Sequence, residues 1–234
     1  MRHVIISGLT ASGKTTQSLQ LAKDLGLHYI SGSAIRAELL GVDEHVSSNQ
    51  FWRESTTAET LDETRLARPD TQDTAVENKL IEIASKSEGC VFDTWVLPWL
   101  FQTDSLCVFL KSALETRARR LFRNSWPRSF EDSLRTVEQK DNRARDFFLM
   151  AYGVDIFQDL SPFDVIIECD EHDDEVAECI AEISYQLAAI ARPTLSGGHD
   201  ALRAVVRSLG QHTGSVKTYV KPSLIDRLGQ SRVA

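Results

Sequence analysis

Residues 3–16 read HVIISGLTASGKTT. A β-branched apolar run leads into a loop with a glycine near each end, and a polar run able to start a helix follows. The octet Gly8-Leu9-Thr10-Ala11-Ser12-Gly13-Lys14-Thr15 fits the pattern GxxxxGKS/T in the setting it requires, after a buried strand and before a helix. Each residue type has a physical reason. The glycines allow a tight loop whose N–H groups point inward. The helix start adds the positive end of its dipole. Lys14 is long enough to reach the β- and γ-phosphates of a nucleoside triphosphate, and Thr15 offers a hydroxyl to Mg²⁺. Gly8, Ala11, Ser12, Gly13, Lys14, Thr15 and Thr16 are therefore the expected ATP-binding residues, with Lys14 also catalytic.

Working outward, HYIS (28–31), CVFD (90–93), LCVFL (106–110) and DVIIEC (164–169) join HVIIS (3–7) as expected strands. Several are continuous apolar runs without alternation, which suits a parallel sheet covered on both faces. Helical patterns fill the gaps at 14–25, 72–87, 112–123, 130–150 and 173–191. This alternation predicts an α/β fold, a five-stranded parallel sheet flanked by helices. Segment 42–71 is polar with few apolar anchors and reads as a mobile flap. RPTLSGGHD (192–200) reads as a Pro/Gly/Ser loop, dividing a domain at 1–191 from an extension at 192–234 with one helix, HDALRAVVRSL.

Net charge is −8, which speaks against a nucleic-acid polymer as a general partner. Residues 192–234 carry seven Lys/Arg and two Asp/Glu, a net +5, leaving −13 on 1–191. A basic tail against an acidic body predicts docking on its own domain or on a partner, self-association included. No apolar run approaches the ~20 residues that span a bilayer, and the N-terminal run reads as a first strand rather than a signal peptide. Cys90, Cys107, Cys169 and Cys179 show no CxxC spacing and no His at metal-ligand spacing. They read as small buried residues of a cytoplasmic protein.

Phosphoryl transfer spreads charge over the γ-phosphoryl oxygens, so converging cations are expected near the phosphate loop. Arg117, Arg120 and Arg123 share a face of the helix at 112–123, and Lys140, Arg143 and Arg145 form a second cluster. Asp93 ends a strand expected beside the first. A carboxylate there is placed to order the water shell of Mg²⁺ opposite Thr15, whereas a lone buried acid is costly. Asn78-Lys79 sits in a helix pattern without the Asp of NKxD, which speaks against a small GTPase.

Taken in order, ISGLTASGKTT, LGLHYISGSAIRAEL, DTAVENKLIEIA, VFDTWVLPWL, FLKSALETRARRLFR and YGVDIFQDLSPFDVIIEC resemble the nucleoside monophosphate kinases over about residues 3–185. The likeness is strongest to the short, archaeal-type cytidylate kinases. It implies a P-loop kinase fold with an acceptor-binding flap at about 33–80 and a helical lid at about 112–150. It also implies transfer from ATP to CMP or dCMP with Mg²⁺. On this resemblance Ser33 and Arg36 bind the acceptor phosphate. Asp73 and Glu77, four apart on one helix face, either accept from a base amino group or face solvent in a helix first turn.

The departures concern the acceptor. Trp95 stands where the family has a phosphate-binding arginine, Pro98 replaces a loop glycine, and Lys140 and Phe147 replace lid arginines. One phosphate clamp is therefore missing unless Arg53, Arg65 or Arg68 of the flap replaces it. Trp95 or Trp52 is placed to stack on a base or larger aromatic acceptor, with packing of Trp95 against the flap as the other reading. A modified pyrimidine nucleotide, another small metabolite, or a regulatory nucleotide-binding role are the competing expectations.

Overall fold

In the computed structural model, β1 (His3–Gly8) is buried along its whole length. Residues 1–39, 73–101, 104–123, 129–171, 175–209 and 215–230 are described; the flap at 42–71, with Trp52, Arg53, Arg65 and Arg68, lies outside them. β1 pairs in parallel with β3 (Cys90–Asp93) on one side and β4 (Ser105–Lys111) on the other. β2 (His28–Ser31) extends the sheet beyond β3, and β5 (Val165–Cys169) extends it beyond β4, both parallel. β6 (Val216–Val220) adds antiparallel to β5, giving the order β2-β3-β1-β4-β5-β6. Successive strands diverge to either side of β1, so its C-terminal end opens into the crevice where ligands of such sheets bind.

The helices are α1 (Lys14–Leu25), α2 (Gly32–Leu39), α3 (Asp73–Lys86), α4 (Leu97–Leu100), α5 (Leu114–Arg123), α6 (Phe130–Tyr152), α7 (Val176–Ser196), α8 (His199–Leu209) and α9 (Pro222–Gln230). Gly26 at φ 65° ends α1, its N–H reaching Ala22 O and Lys23 O. β1 explains the unbroken apolar runs. Val4 and Ile6 enter one core with Leu21, Ile183 and Leu187, while Ile5 enters the opposite core with Leu80, Phe92 and Phe109. A third cluster, Val96, Ala144, Phe147, Phe148 and Ile156, lies under α6. His3 is buried between the β1 neighbours, donating from Nε2 to Ala84 O at 3.0 Å and accepting the Cys90 N–H on Nδ1 at 3.3 Å. Among the described residues no helix is long and apolar enough to cross a membrane.

Three expectations are corrected. The sheet has six strands rather than five, because β6 is an edge strand with little burial beyond Val216 and shows none of the continuous apolarity of the others. The expected loop at 192–200 is largely helix: α7 runs to Ser196 through Pro193 and ends at Gly197, φ 70°. Pro193 removes one helical donor, but Ala191 and Thr194 are fully buried, and that packing outweighs the loss. The aromatic loop after Asp93 also contains the single turn α4, with Pro98 in its first turn, where a missing N–H costs nothing.

The basic tail docks on its own body. Leu202, Val216, Leu224 and Leu228 belong to the same core as Val4 and Ile6. Arg227 pairs with Asp164, whose other oxygen accepts the Cys107 N–H at 3.0 Å. The Lys221 ammonium donates to Ser161 O at 2.6 Å.

Candidate active site

The loop between β1 and α1 is shaped by its glycines. A Cβ on Gly8 would lie 2.5 Å from Leu110 O and 2.6 Å from Ser12 Oγ, so no other residue fits. Gly13 caps α1 at φ 94°, a left-handed conformation that side chains avoid. Ala11 also takes a positive φ, 58°. Thr10 Oγ1 and Ser12 Oγ are buried without a hydrogen-bond partner among the described residues, two hydroxyls inside the cradle that an oxyanion can engage.

Lys14 folds back on this loop, donating to Gly8 O at 2.7 Å and Leu9 O at 2.9 Å. The Trp95 ring covers it, with Nζ 4.8 Å from the ring centroid. Trp95 is held in place from behind: its carbonyl accepts the Ser7 hydroxyl at 2.6 Å, and its ring leans on Phe148 of α6 at 6.2 Å. Enclosure lowers the Lys14 pKa below that of a free amine, opposed by the nearby charges of Asp93 and Asp141. Trp99 serves structure instead, donating to Asp159 at 2.9 Å and packing edge-on against Phe163.

The β1–β3 register sets Ile6 opposite Asp93, which brings the Asp93 carboxylate to the start of α1. Thr15 Oγ1 donates to Asp93 Oδ2 at 2.6 Å, and the Tyr29 hydroxyl donates to the same oxygen at 3.1 Å. Burial and the Asp93 charge raise the Tyr29 pKa, so it remains a donor. A hydroxyl and a carboxylate, all oxygen, fit a hard divalent cation such as Mg²⁺.

The lid-side arginines reach the loop from α5. Arg117 donates to Thr10 O at 3.0 Å and Ser112 O at 3.1 Å and forms a buried ion pair with Asp141 of α6. Asp141 in turn accepts the Thr10 N–H at 2.9 Å. Arg120 donates to Ser12 O and Ser112 Oγ, both at 3.0 Å, and is clamped by both oxygens of Glu171. Burial opposes the Arg120 charge, but Glu171 outweighs it and raises the pKa. Both guanidiniums thus touch backbone carbonyls of the phosphate loop.

Lys140 and Arg143 lie partly buried on α6. Arg145 turns to Asp155, with bonds of 2.9 and 2.6 Å, and stacks on Phe157. At the start of α2, Ser31 and Ser33 share a hydrogen bond of 2.8 Å. Arg36 follows on α2, partly buried, and Glu77 is buried on α3. α2 and α3 pack together through Ile35, Val76 and Leu80. Asp73 begins α3; its side chain lies outside the described part.

The Cytidylate kinase-like family model matches residues 3–171. The chain belongs to that family. The enzyme is 32% identical to the cytidylate kinase of Pyrobaculum aerophilum over 70% of this chain and 82% of that one. It is 28% identical to the cytidylate kinase of Sulfurisphaera tokodaii over 79% of this chain and 97% of that one. A shikimate kinase of Bacteroides thetaiotaomicron aligns with a TM-score of 0.45 and 14% identity, over 80% of this chain and 98% of that one, a likeness too loose to inform the site. Sequence and fold make this a nucleoside monophosphate kinase-like enzyme. Its phosphate loop, Thr15, Asp93, Trp95, Arg117 and Arg120 converge on one crevice, whereas Arg145 is tied to Asp155 at the far end of α6. Asp141, Glu171 and Tyr29 contact that machinery without having been singled out in the sequence. Asp141 stands in EQKDNRAR and Glu171 in CDEHDDE, stretches as charged as an ordinary surface, and Tyr29 reads as an ordinary strand residue, so nothing along the chain marks them.

Proposed function

We propose that the enzyme moves the γ-phosphoryl group of ATP to CMP or dCMP. The observation that carries this reading is the Thr15–Asp93 contact, 2.6 Å, beside Lys14 in a glycine cradle within a cytidylate kinase-like chain. Loop N–H groups and the α1 terminus bind the β- and γ-phosphates. Lys14 exchanges its two loop carbonyls for phosphate oxygens, so its charge follows the moving group. Thr15 and, through water, Asp93 would hold Mg²⁺, which offsets phosphate charge when bound. Arg117 and Arg120 keep the loop carbonyls fixed, with their own charges balanced by Asp141 and Glu171. Lys140 and Arg143 approach the transferring group from the lid. Arg145 anchors the end of α6 through Asp155.

The acceptor is assigned to the space between Ser33, Arg36, Asp73, Glu77 and the Asp93–Trp95 turn. Glu77 is suited to a base amino group, and Arg36 to the acceptor phosphate. Little covalent help is required, since alignment and charge supply most of the rate. Trp95 standing over Lys14 favours a second reading, in which a modified pyrimidine nucleotide or another aromatic metabolite is the better acceptor. A coupled ADP-release assay across CMP, dCMP, the other monophosphates and modified pyrimidine nucleotides tests both. Turnover with CMP or dCMP, lost in Lys14→Met, is the expected result. Turnover only with a modified nucleotide selects the second reading, and none with any of these nucleotides sinks the first and the modified-nucleotide form of the second.

A further inference from the structure

Away from the crevice, three buried side chains with metal-ligating atoms meet. Cys169 closes β5, Glu171 follows it, and Cys179 lies in the first turns of α7. Their ligand atoms all lie within 4.8 Å of one another. Spacings of two and eight residues match no common ligand motif; the fold alone collects them. The Cys169 Sγ to Glu171 Oε2 distance is 3.6 Å. A tetrahedral zinc ion with Zn–S of about 2.3 Å and Zn–O of about 2.0 Å sets an S···O edge of about 3.5 Å. The existing pair therefore already has the separation such an ion demands. Ser215 Oγ, 3.4 Å from Cys179 Sγ, marks the side on which a fourth ligand, a hydroxyl or a water, completes the shell.

Charge is consistent with this site. Glu171 is balanced by its ion pair with Arg120. When a dication binds, each thiol releases a proton to solvent as its metal–sulfur bond forms. Two thiolates and a carboxylate then face a dication and Arg120, and the pocket is again neutral. Arg123, 3.9 Å from Glu171 and more exposed, contributes equally to both states. Arg120 holds both carboxylate oxygens, Nε on Oε1 at 2.7 Å and Nη2 on Oε2, and Oε2 also faces the Cys169 thiol at 3.6 Å. That is the outer contact by which ligating carboxylates are oriented.

We infer that Cys169, Glu171 and Cys179 form a tetrahedral site for a thiophilic divalent cation of the zinc class. Two soft thiolate donors in a buried setting select such an ion over Mg²⁺. Its consequence reaches the phosphate loop, because the carboxylate it fixes holds Arg120, and Arg120 holds Ser12 O.

The test uses the reduced full-length protein, stripped with chelator and titrated with Zn²⁺ or Co²⁺. One equivalent binds per chain, and the Co²⁺ form shows near-ultraviolet thiolate-to-cobalt absorption. Cys169→Ser and Cys179→Ser abolish that absorption, while Cys90→Ser and Cys107→Ser keep it. Alkylation of the wild type, mapped by mass spectrometry, needs no variant to fold: Zn²⁺ protects Cys169 and Cys179 selectively. Absence of the absorption, its survival in Cys169→Ser, or alkylation indifferent to Zn²⁺ each overturns the site.

Discussion

Removing Asp141 has two separable consequences. Its side chain is 3% exposed and that of its partner Arg117 6% exposed, so the pair is shielded from water. Truncation to Ala strands a buried guanidinium, which costs about 3–5 kcal/mol. At about 2–4 °C per kcal/mol for a chain of this size, Tm falls by roughly 6–20 °C. Replacing both partners with apolar residues, Arg117→Met with Asp141→Leu, removes the stranded charge and recovers most of that loss. Function does not recover with it. Asp141 also accepts the Thr10 N–H and Arg117 donates to Thr10 O, so both variants loosen the phosphate loop. Calorimetric melting gives the stability of each variant, and titration with ATP gives its affinity. ATP binding should stay weakened in the double variant after its Tm has recovered. A Tm for Asp141→Ala within about 2 °C of wild type would refute the buried-pair reasoning. Full recovery of ATP affinity in the double variant would refute the loop-bracing role.

Three further outcomes are expected. Trp95→Leu removes a cation–π contact of about 0.5–1 kcal/mol that holds Lys14 in its ligand-free position, so ATP should bind about 2–5-fold tighter by calorimetry; weaker binding would mean the indole contacts the bound nucleotide instead. Burial holds the His3 pKa below its usual 6.5, so the unfolded chain takes up the proton first and stability is lost as pH falls below about 6.5. Chemical denaturation from pH 7.5 to 5 should show that slope in wild type and a reduced one in His3→Gln; identical slopes would remove His3 from the account. Ending the chain at residue 210 strips Val216, Leu224 and Leu228 from the core and uncovers the edge of β5. The shortened protein should lose solubility and melt earlier, and an unchanged Tm would show that the tail is not part of the fold.

The chemistry nearest the phosphate was readable from the residues because it is local. A nucleotide loop needs glycines, a lysine and a hydroxyl at fixed spacing on one continuous backbone, and Gly8–Thr15 supplies them. Buried parallel strands are apolar on both faces, so Val4, Ile5 and Ile6 announce a central strand without reference to any partner. Asp93 was legible for a related reason: an acid that interrupts such a run has few structural uses. β6 and α9 were not legible, since an edge strand and a short helix bury only one or two residues each and carry no comparable period.

Pairing across the fold is another matter, because it depends on strand register and on which helix face turns inward. Arg117 and Arg120 read as cations aimed at phosphate; the structure engages them with Asp141, Glu171 and the loop carbonyls. The chain leaves Trp95 between stacking on a base and packing against the flap, which lies outside the described residues; the structure leans its ring on Phe148 and sets it over the Lys14 ammonium. Cys169 and Cys179 read as unrelated core residues until β5 and α7 brought them beside Glu171. The nucleotide loop and the strand cores follow from the chain alone, because periodicity and motif spacing are properties of a single segment, and the kinase class follows from the resemblance carried by segments along about residues 3–185. Which charge each arginine meets, what covers Lys14 and where the thiols converge were decided only by tertiary packing, since those partners are brought together by the fold and not by spacing along the chain.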